Sequence, residues 1–494
     1  MGTIGSYVVA GLTEVGLVTL AKAPRDAHLL CLQRFLRMFG FGQSMLVLAL
    51  FFRALGFNER QTGLFMSLTL AGDMVLSLVL TVVADGAGRR RVLAAGSVLM
   101  ATSGVVFSYA SAYGALLAAA VVGVISPSGN EVGPFRAIEE STLAHLVPLA
   151  DRSDVYAWYA LIGQAGTALG AFSAGWLVQW LQDVRRWPEL ASYRLVFLIY
   201  TVLAVLKLAA TVGMSSASEA DAWHAARATP EPEDIPLGAV AMDAEPAAPH
   251  TFDDDDLKDA PVAAGAPSAA AAAAADDRAL RLEMQTLDPV ARPSWVRRLL
   301  PAVPAASRLV LLQLVVLFAL DSFGSGIGSQ TWISYYFSER FDVAEGRIGS
   351  ILFVTNIVAA LSALVASSIS KRIGPVLTMV GTHLPSSVVL GLFGLAGSQG
   401  LATVLLVVRS CTQSMDVAPR QAFLSAVVSK AERTAVMGVV NVFRTLASMG
   451  GLGLMGALAY GHHMSLAFVI ASACKVVYDL AILYSFRRTQ LHER

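Results

Sequence analysis

Four polar residues interrupt a long apolar run in the last quarter of the chain. Arg409, Gln413, Asp416 and Arg420 lie 4, 3 and 4 residues apart within residues 401–428. If this run forms one helix, the spacing places the four side chains on one face. A guanidinium can bind an anionic group, and a carboxyl group held away from water can bind and release a proton. We interpret the four residues as one wall of a polar binding cavity.

The four residues do not have the same expected role. Arg409 lies deepest in the run, so it is the first candidate for contact with an anionic group of a solute, or for keeping a neighbouring carboxylate charged. Asp416 has two interpretations, which are a proton-binding site and a structural partner of Arg420 that locks a gate. For Arg420 we favour the gate, because this residue lies beside a predicted inner turn.

A second polar group lies where an earlier apolar run meets a predicted helix break. Two prolines and two glycines surround Asn130 and Glu131, and they should bend or partly unwind the helix. Backbone groups freed by such a break can bind ions or polar solutes, so both residues are cavity candidates. Arg136 precedes Glu139 and Glu140 by 3 and 4 residues. We interpret it as part of a structural ion cluster at the inner gate.

Two later runs carry further candidates for the cavity. Asp321 is followed at helical spacing by small residues, so it could line a cavity wall or form a gate pair. Asn441 and Arg444 share one face of their run. Arg444 could reach a solute, or it could pair with Asp321 or Asp416.

A lone acid, Asp73, lies inside the second apolar run of the chain. A charge at the centre of a bilayer costs about 2.5–3.5 kcal/mol on insertion scales, so such a residue normally faces a partner or a wet cavity. Asp73 could therefore carry a proton, or it could pack against Arg34 or Arg37 as their partner.

Long apolar runs must position these residues. The chain has 494 residues, of which 55% are hydrophobic and 15% are charged, a balance too apolar for an ordinary soluble protein. Runs of about 18–25 residues recur, and each can cross a hydrocarbon core as a helix. The predicted spans are 31–52, 61–83, 92–111, a fourth from about 115, 155–180, 195–214, 309–337, 347–368, 375–396, 401–428, 435–460 and 464–486. We predict an all-α polytopic membrane protein with about twelve transmembrane helices in two pseudo-symmetric six-helix bundles.

Composition and charge divide the chain into five predicted parts. These are a cytoplasmic N-terminal segment (1–27), a first bundle (28–214), a linker (215–307), a second bundle (308–488) and a cytoplasmic tail (489–494). The linker is rich in Pro and Ala, contains an acidic run and lacks a periodic apolar face, so we expect it to be disordered. Basic residues concentrate in turns on one predicted side, which places both termini in the cytoplasm.

A short charged turn joins the second and third spans. It contains Asp85, Gly88, Arg89 and Arg90, and it resembles the signature loop of the major facilitator superfamily, G-x-x-x-D-x-x-G-R-[KR]. Thr81 stands where that motif begins with Gly. The phrases at 126–134 and 414–421 are similar to a bacterial and fungal branch of general-substrate or efflux permeases. The resemblance implies alternating-access transport, with the charged turn acting as a conformational gate.

These observations lead to one function and two alternatives. We expect a secondary transporter that moves a small polar or charged solute and is coupled to protons, because several acids lie within spans. The alternatives are an uncoupled facilitator and a receptor-like nutrient sensor on a transporter fold. A polytopic membrane enzyme would need a convergent His or Cys constellation, and none is found in the sequence.

The expected partners are a small-molecule solute and the lipid bilayer. The net charge is zero, so no nucleic-acid partner is indicated. We expect a monomer without cofactor or metal, in the plasma membrane or in a vacuolar-type internal membrane.

Overall fold

Helices make up the fold of the computed structural model, which describes residues 16–123, 125, 134–149, 151–219, 305–427 and 433–486. The first half contains α1 (Leu17–Lys22), α2 (Arg25–Ala54), α3 (Glu59–Ala87), α4 (Arg89–Tyr109), α5 (Tyr113–Gly123), α6 (Pro134–Leu146), α7 (Arg152–Asp183) and α8 (Glu189–Val212). The second half contains α9 (Ala305–Ile327), α10 (Gln330–Phe341), α11 (Glu345–Ile373), α12 (Pro375–Gly394), α13 (Gln399–Ser410), α14 (Val417–Val427), α15 (Arg433–Tyr460) and α16 (Met464–Phe486).

The described helices confirm the predicted all-α polytopic class. Nine of them, within the described ranges, are long and apolar enough to cross a membrane, and α5 and α13 are shorter apolar helices. Residues 220–304, most of the predicted linker, lie outside the described residues.

Two predicted spans are broken rather than continuous. The span predicted at 309–337 ends as α9 at Ile327 and resumes as α10 at Gln330. The span predicted at 401–428 ends as α13 and resumes as α14, so the expectation of one helix there is wrong. Pro419 explains the second break, because proline lacks an N–H and its ring would clash with the carbonyl of Met415 in a continuous helix. In α14, Pro419 falls in the first turn, where proline is tolerated.

One tight turn occurs at the same place in both halves. Gly88 separates α3 from α4 with φ 95°, and Gly374 separates α11 from α12 with φ 86°. Only glycine adopts this backbone region readily, so both turns depend on it. Basic residues lie at both turns, and we therefore call this end of the helices the inner end and the opposite end the outer end.

The halves meet closely at the outer end. A Cβ added to Gly63 on α3 would lie 2.8 Å from Cα of Gly456 on α15. Gly349 on α11 has the same relation to α7, where an added Cβ would lie 2.6 Å from the carbonyl oxygen of Ala171. The absence of side chains at these positions lets the helix backbones approach each other.

Polar contacts reinforce this approach. Several of them join the two halves, and we call four that lie near the outer ends the outer clasp. The clasp consists of Tyr335 Oη to Glu59 Oε1 (2.6 Å), Arg53 Nη1 to Glu339 Oε2 (3.1 Å), Tyr193 Oη to Glu345 Oε1 (2.8 Å) and Trp176 Nε1 to Ser350 Oγ (2.9 Å). The outer end is thus closed in this conformation.

Candidate functional site

Asp321 on α9 is the centre of a buried charge network. Asp321 is 3% exposed. Lys475 Nζ on α16 lies 2.7 Å from Asp321 Oδ1, and Arg420 Nη2 on α14 lies 3.2 Å from Oδ2. His383 Nε2 on α12 lies 3.5 Å from Oδ1. One carboxylate therefore joins four helices, and its burial is offset by the bases around it.

His383 also contacts a second acid. Its Nδ1 lies 2.8 Å from Oδ1 and 2.9 Å from Oδ2 of Asp479 on α16, a residue that is 0% exposed. Ser387 Oγ donates to Asp479 Oδ2 at 3.1 Å. The imidazole ring thus has a carboxyl group on each side, Asp479 at Nδ1 and Asp321 at Nε2.

Arg420 connects this network to the helix break. It pairs with Asp416 as well as with Asp321. Its guanidinium lies 5.3 Å from the ring centroid of Phe318 and 5.8 Å from that of Tyr478. The predicted Asp416–Arg420 pair therefore exists, and it is part of a larger cluster rather than an isolated pair.

Arg444 on α15 contacts the same part of α9. Its Nε donates to Ser322 Oγ at 3.2 Å, and its guanidinium lies 5.9 Å from the ring of Phe318. Within the described ranges it forms no ion pair with Asp321, which was one of its two predicted partners. Asn441, which was predicted to share its face, is exposed.

Arg409 differs from Arg420 in its ion pairs. It lies in the last turn of α13, and its Nε, like that of Arg420, is buried without a hydrogen-bond partner. Across the described part of the chain its guanidinium forms no ion pair. Gln413 lies in the turn that follows, where its backbone N–H donates to the Arg409 carbonyl at 3.0 Å. The predicted single face is therefore divided, with Arg409 and Gln413 before α14 and Arg420 within it.

The first half holds a smaller buried cluster around Glu139 on α6. Glu139 is 0% exposed; Arg37 Nη2 lies 2.8 Å and Tyr159 Oη 2.5 Å from its Oε2. Lys207 Nζ on α8 lies 3.9 Å from its Oε1. The predicted cluster of Arg136 with both glutamates is therefore wrong in part, because Arg136 pairs with Glu140 at 2.7 Å. Glu139 lies on the buried face of α6 and binds other helices instead.

The remaining predicted residues have varied positions. Asp73 is buried on α3. Asn130 and Glu131 lie outside the described residues, and for Asp85 the structure describes only the backbone, near the end of α3. Gly88 forms the turn already described.

The two arginines of the charged turn contact the end of the first half. The backbone N–H of Arg89 donates to Glu219 Oε2 at 2.6 Å. Arg90 Nη2 donates to the carbonyl of Val212 at 3.2 Å. In this conformation both residues are thus anchored next to the segment that follows α8.

The sequence interpretation missed three members of the second-half network and one of the first. His383, Lys475, Asp479 and Lys207 were not singled out. A signal was present, because all four are ionisable residues inside apolar runs, and such residues are rare and usually paired. Their partners, however, lie on other helices and cannot be read from spacing within one run.

Known proteins resemble this chain over most of its length. The family described as Major Facilitator Superfamily matches residues 30–251 and 310–493. The chain is 34% identical to the uncharacterized membrane protein YJR124C of Saccharomyces cerevisiae over 466 residues, which are 94% of each chain.

Solved structures resemble the chain in fold at lower identity. The nucleoside transporter NupG is 14% identical with a TM-score of 0.61, covering 94% of this chain and 100% of that one. A D-xylose-proton symporter is 13% identical with a TM-score of 0.62, covering 92% and 96%. A peptide transporter POT in complex with sulfate is 15% identical with a TM-score of 0.62, covering 94% and 95%. These similarities concern the fold alone.

Proposed function

The chain belongs to the major facilitator superfamily, and on this premise we propose that it is a secondary active transporter that moves a small polar or charged solute by alternating access. It is an integral multi-pass membrane protein of a transporter family, not an enzyme. Its partners are a small-molecule substrate and the lipids of the bilayer. Coupling to protons and a monomeric state are part of the proposal.

The outer clasp is the observation that carries alternating access. The clasp and the close glycine contacts hold the outer ends of the two halves together by noncovalent contacts alone. A solute can enter from the outer side only if this closure is reversible, which is the behaviour of two bundles that rock against each other. For the opposite closure we propose the inner turn with Asp85, Gly88, Arg89 and Arg90 as the gate.

Arg409 is the best-supported contact for the solute. Within the described residues its guanidinium forms no ion pair and its Nε is buried without a hydrogen-bond partner, whereas Arg420 and Lys475 are paired with acids in the same half. An anionic group of the solute would supply the missing partner, because guanidinium binds carboxylate and phosphate through paired hydrogen bonds. We therefore propose a solute that carries at least one anionic group, with Arg444 as a second contact.

The test is a thermal-shift screen of the purified full chain against carboxylates, phosphate esters, amino acids, sugars and lipophilic drugs. A compound that binds the native state raises the unfolding temperature. We expect anionic compounds to stabilise the native chain and to lose this effect in Arg409→Gln. Arg185→Gln, which changes an exposed arginine in the loop after α7, is the matched control and should keep the effect.

Three results would contradict parts of this proposal. Equal stabilisation of both variants would exclude Arg409 as the contact. Stabilising compounds that are not taken up by proteoliposomes would favour the sensor over the transporter. Uptake that is independent of an imposed pH gradient would identify an uncoupled facilitator.

A further inference from the structure

The His383 ring lies between two buried carboxyl groups that differ in their other partners. Asp321 is already paired with two cations, Lys475 at 2.7 Å and Arg420 at 3.2 Å. Asp479 is 0% exposed, and His383 is its one basic partner within the described residues. Ser387 adds a neutral hydrogen bond to it.

This geometry requires a proton beyond those of a neutral imidazole and two carboxylates. A buried carboxylate without a cation is strongly disfavoured. Asp479 must therefore face an imidazolium, or it must itself be protonated. On the other side, Nε2 faces an oxygen of the ionised Asp321 at 3.5 Å, and this contact is favourable only if Nε2 carries a hydrogen.

The two permitted states differ only in the position of one proton. In the first state both ring nitrogens carry hydrogen and Asp479 is charged. In the second state the proton has moved along the 2.8 Å contact from Nδ1 to Asp479. Both states hold the same total number of protons, and the ring can exchange between them without any change of packing.

We propose that His383, Asp479 and Asp321 form a proton relay that is the proton-binding site of this transporter. The role of the relay in transport rests on the proposed function. The presence of the bound proton does not depend on it. Among the described residues, the ionisable groups that contact the relay are Tyr478, Lys475 and Arg420. Asp416, through Arg420, and Arg409 and Arg444, from beyond ion-pair distance, complete its charged surroundings.

The transfer step is a proton movement without change of oxidation state. The Nε2–H bond of His383 breaks and an O–H bond forms on Asp321, while the ring retains the hydrogen on Nδ1. The 3.5 Å contact must first shorten to hydrogen-bond distance, about 2.8 Å. Asp321 and His383 become neutral, and Asp479 is left ionised beside a neutral ring. Because that arrangement is disfavoured, the His383–Asp479 pair then binds the next proton, which water supplies.

Protonation of Asp321 would weaken two ion pairs between helices. Lys475 would keep its hydrogen bond to Ser325 at 2.8 Å, and Arg420 would keep Asp416. The contacts of Asp321 on α9 with Arg420 on α14 and Lys475 on α16 would no longer be ion pairs and would weaken. The helix that follows α9 after a two-residue break is α10, and its Tyr335 belongs to the outer clasp. The relay is thus connected through one span to the outer closure.

The first test measures the proton directly. The full chain is labelled with ¹⁵N at histidine, reconstituted in liposomes and studied by solid-state NMR, with an infrared spectrum of the carboxyl region. One of the eight histidines, identified by its loss in His383→Gln, should show two protonated ring nitrogens near neutral pH. Alternatively, a protonated-carboxyl band should be present and should disappear in Asp479→Asn. A singly protonated His383 ring without that band would overturn the relay.

The second test measures coupling to the outer closure. Ser67 on α3 is buried at the interface with α15, where it donates to the Met449 carbonyl at 2.7 Å. In a chain without native cysteines, Ser67→Cys should react with an impermeant maleimide from outside at a rate that depends on pH. This dependence should vanish with His383→Gln and persist with the control His463→Gln, which changes the outer turn. pH-independent labelling, or dependence that survives in His383→Gln, would overturn the coupling.

The two tests separate the inference from the function on which it rests. If the chain were not a transporter, no uptake would occur, yet the NMR result would still decide whether the proton is bound. If the relay were absent, compound binding to the native chain and its loss in Arg409→Gln would remain.

Discussion

Lys475 Nζ on α16 lies 2.7 Å from Asp321 Oδ1 on α9, and both residues are buried. The first half contains a related pair, because Lys207 Nζ on α8 lies 3.9 Å from Glu139 Oε1 on α6. In both halves the last helix supplies a buried lysine. The acid, however, is on the first span of one half and on the fourth span of the other.

The arginines that pair with these two acids also lie on different spans in the two halves. In the first half Arg37 on α2 contacts Glu139 on α6, and in the second half Arg420 on α14 contacts Asp321 on α9. In each bundle an acid–base pair thus joins the first and fourth spans. The base is on the first span of the first half and on the fourth span of the second half, and the acids have the opposite arrangement. A charged solute or a proton would therefore meet different environments on the two sides, which allows the halves to have different roles.

Removal of Lys475 should destabilise the protein. Lys475→Met leaves Asp321 buried with one cation fewer, and loss of one partner from a buried pair costs about 3 kcal/mol. Thermal or denaturant unfolding of the purified chain in detergent measures this change. Lys22→Met, which alters an exposed lysine on α1, is the control. A loss no larger than that of the control would show that Lys475 does not stabilise Asp321.

A smaller effect is expected for Lys207→Met. Its Nζ lies 3.9 Å from Glu139, and Glu139 keeps Arg37 at 2.8 Å and Tyr159 at 2.5 Å. The decrease in the free energy of unfolding should therefore be smaller than that of Lys475→Met. The opposite order would contradict the ranking by distance.

The sequence predicted the class of fold because span length and apolar composition are local properties. It did not predict the break between α13 and α14, although Pro419 was visible. Pro419 is a local signal for this break, as the two prolines are for the bend predicted in the fourth span. The predicted face of Arg409 and Arg420 depended on a continuous helix, and it failed for this reason.

The candidate site was predictable only in part. Asp321, Asp416 and Arg420 were identified as charges within spans, and the structure brings them together. His383 and Asp479 lie 96 residues apart, on α12 and α16. Their contact depends on how these helices pack, and no spacing within a single span contains that information.

Two glycines on α15 should respond to the same substitution with opposite signs. A Cβ at Gly456 would lie 2.5 Å from the Glu59 carbonyl oxygen, so Gly456→Ala should overpack the outer interface and destabilise it by about 1–3 kcal/mol. A Cβ at Gly438 would meet no atom within 4 Å. Gly438→Ala should therefore stabilise the helix by about 0.5–1 kcal/mol. Unfolding of both variants tests the pair, and equal effects would contradict the close packing of α3 and α15.

Tyr335 should contribute to closure of the outer end. Tyr335→Phe removes the 2.6 Å hydrogen bond to Glu59 with little change in packing. The loss is about 1 kcal/mol, which corresponds to an about fivefold smaller preference for the closed state. Maleimide labelling of Ser67→Cys from outside should accelerate accordingly. Tyr109→Phe, at an exposed position on α4, should leave the rate unchanged, and the same rate in both variants would exclude a role for this contact.

Two arginines of the tenth span should differ in the solute-free protein. Arg409 forms no ion pair with any described residue and has a buried Nε without a partner, so Arg409→Gln removes a desolvated charge and should raise the free energy of unfolding by about 1 kcal/mol. Arg420 is paired with Asp321 and Asp416, so Arg420→Gln should lower it by about 3 kcal/mol. Denaturant unfolding without added solute measures both. A decrease for Arg409→Gln would mean that this arginine is structural. An increase would show that its position is unfavourable for the empty fold, as expected for a residue placed to bind an anionic group.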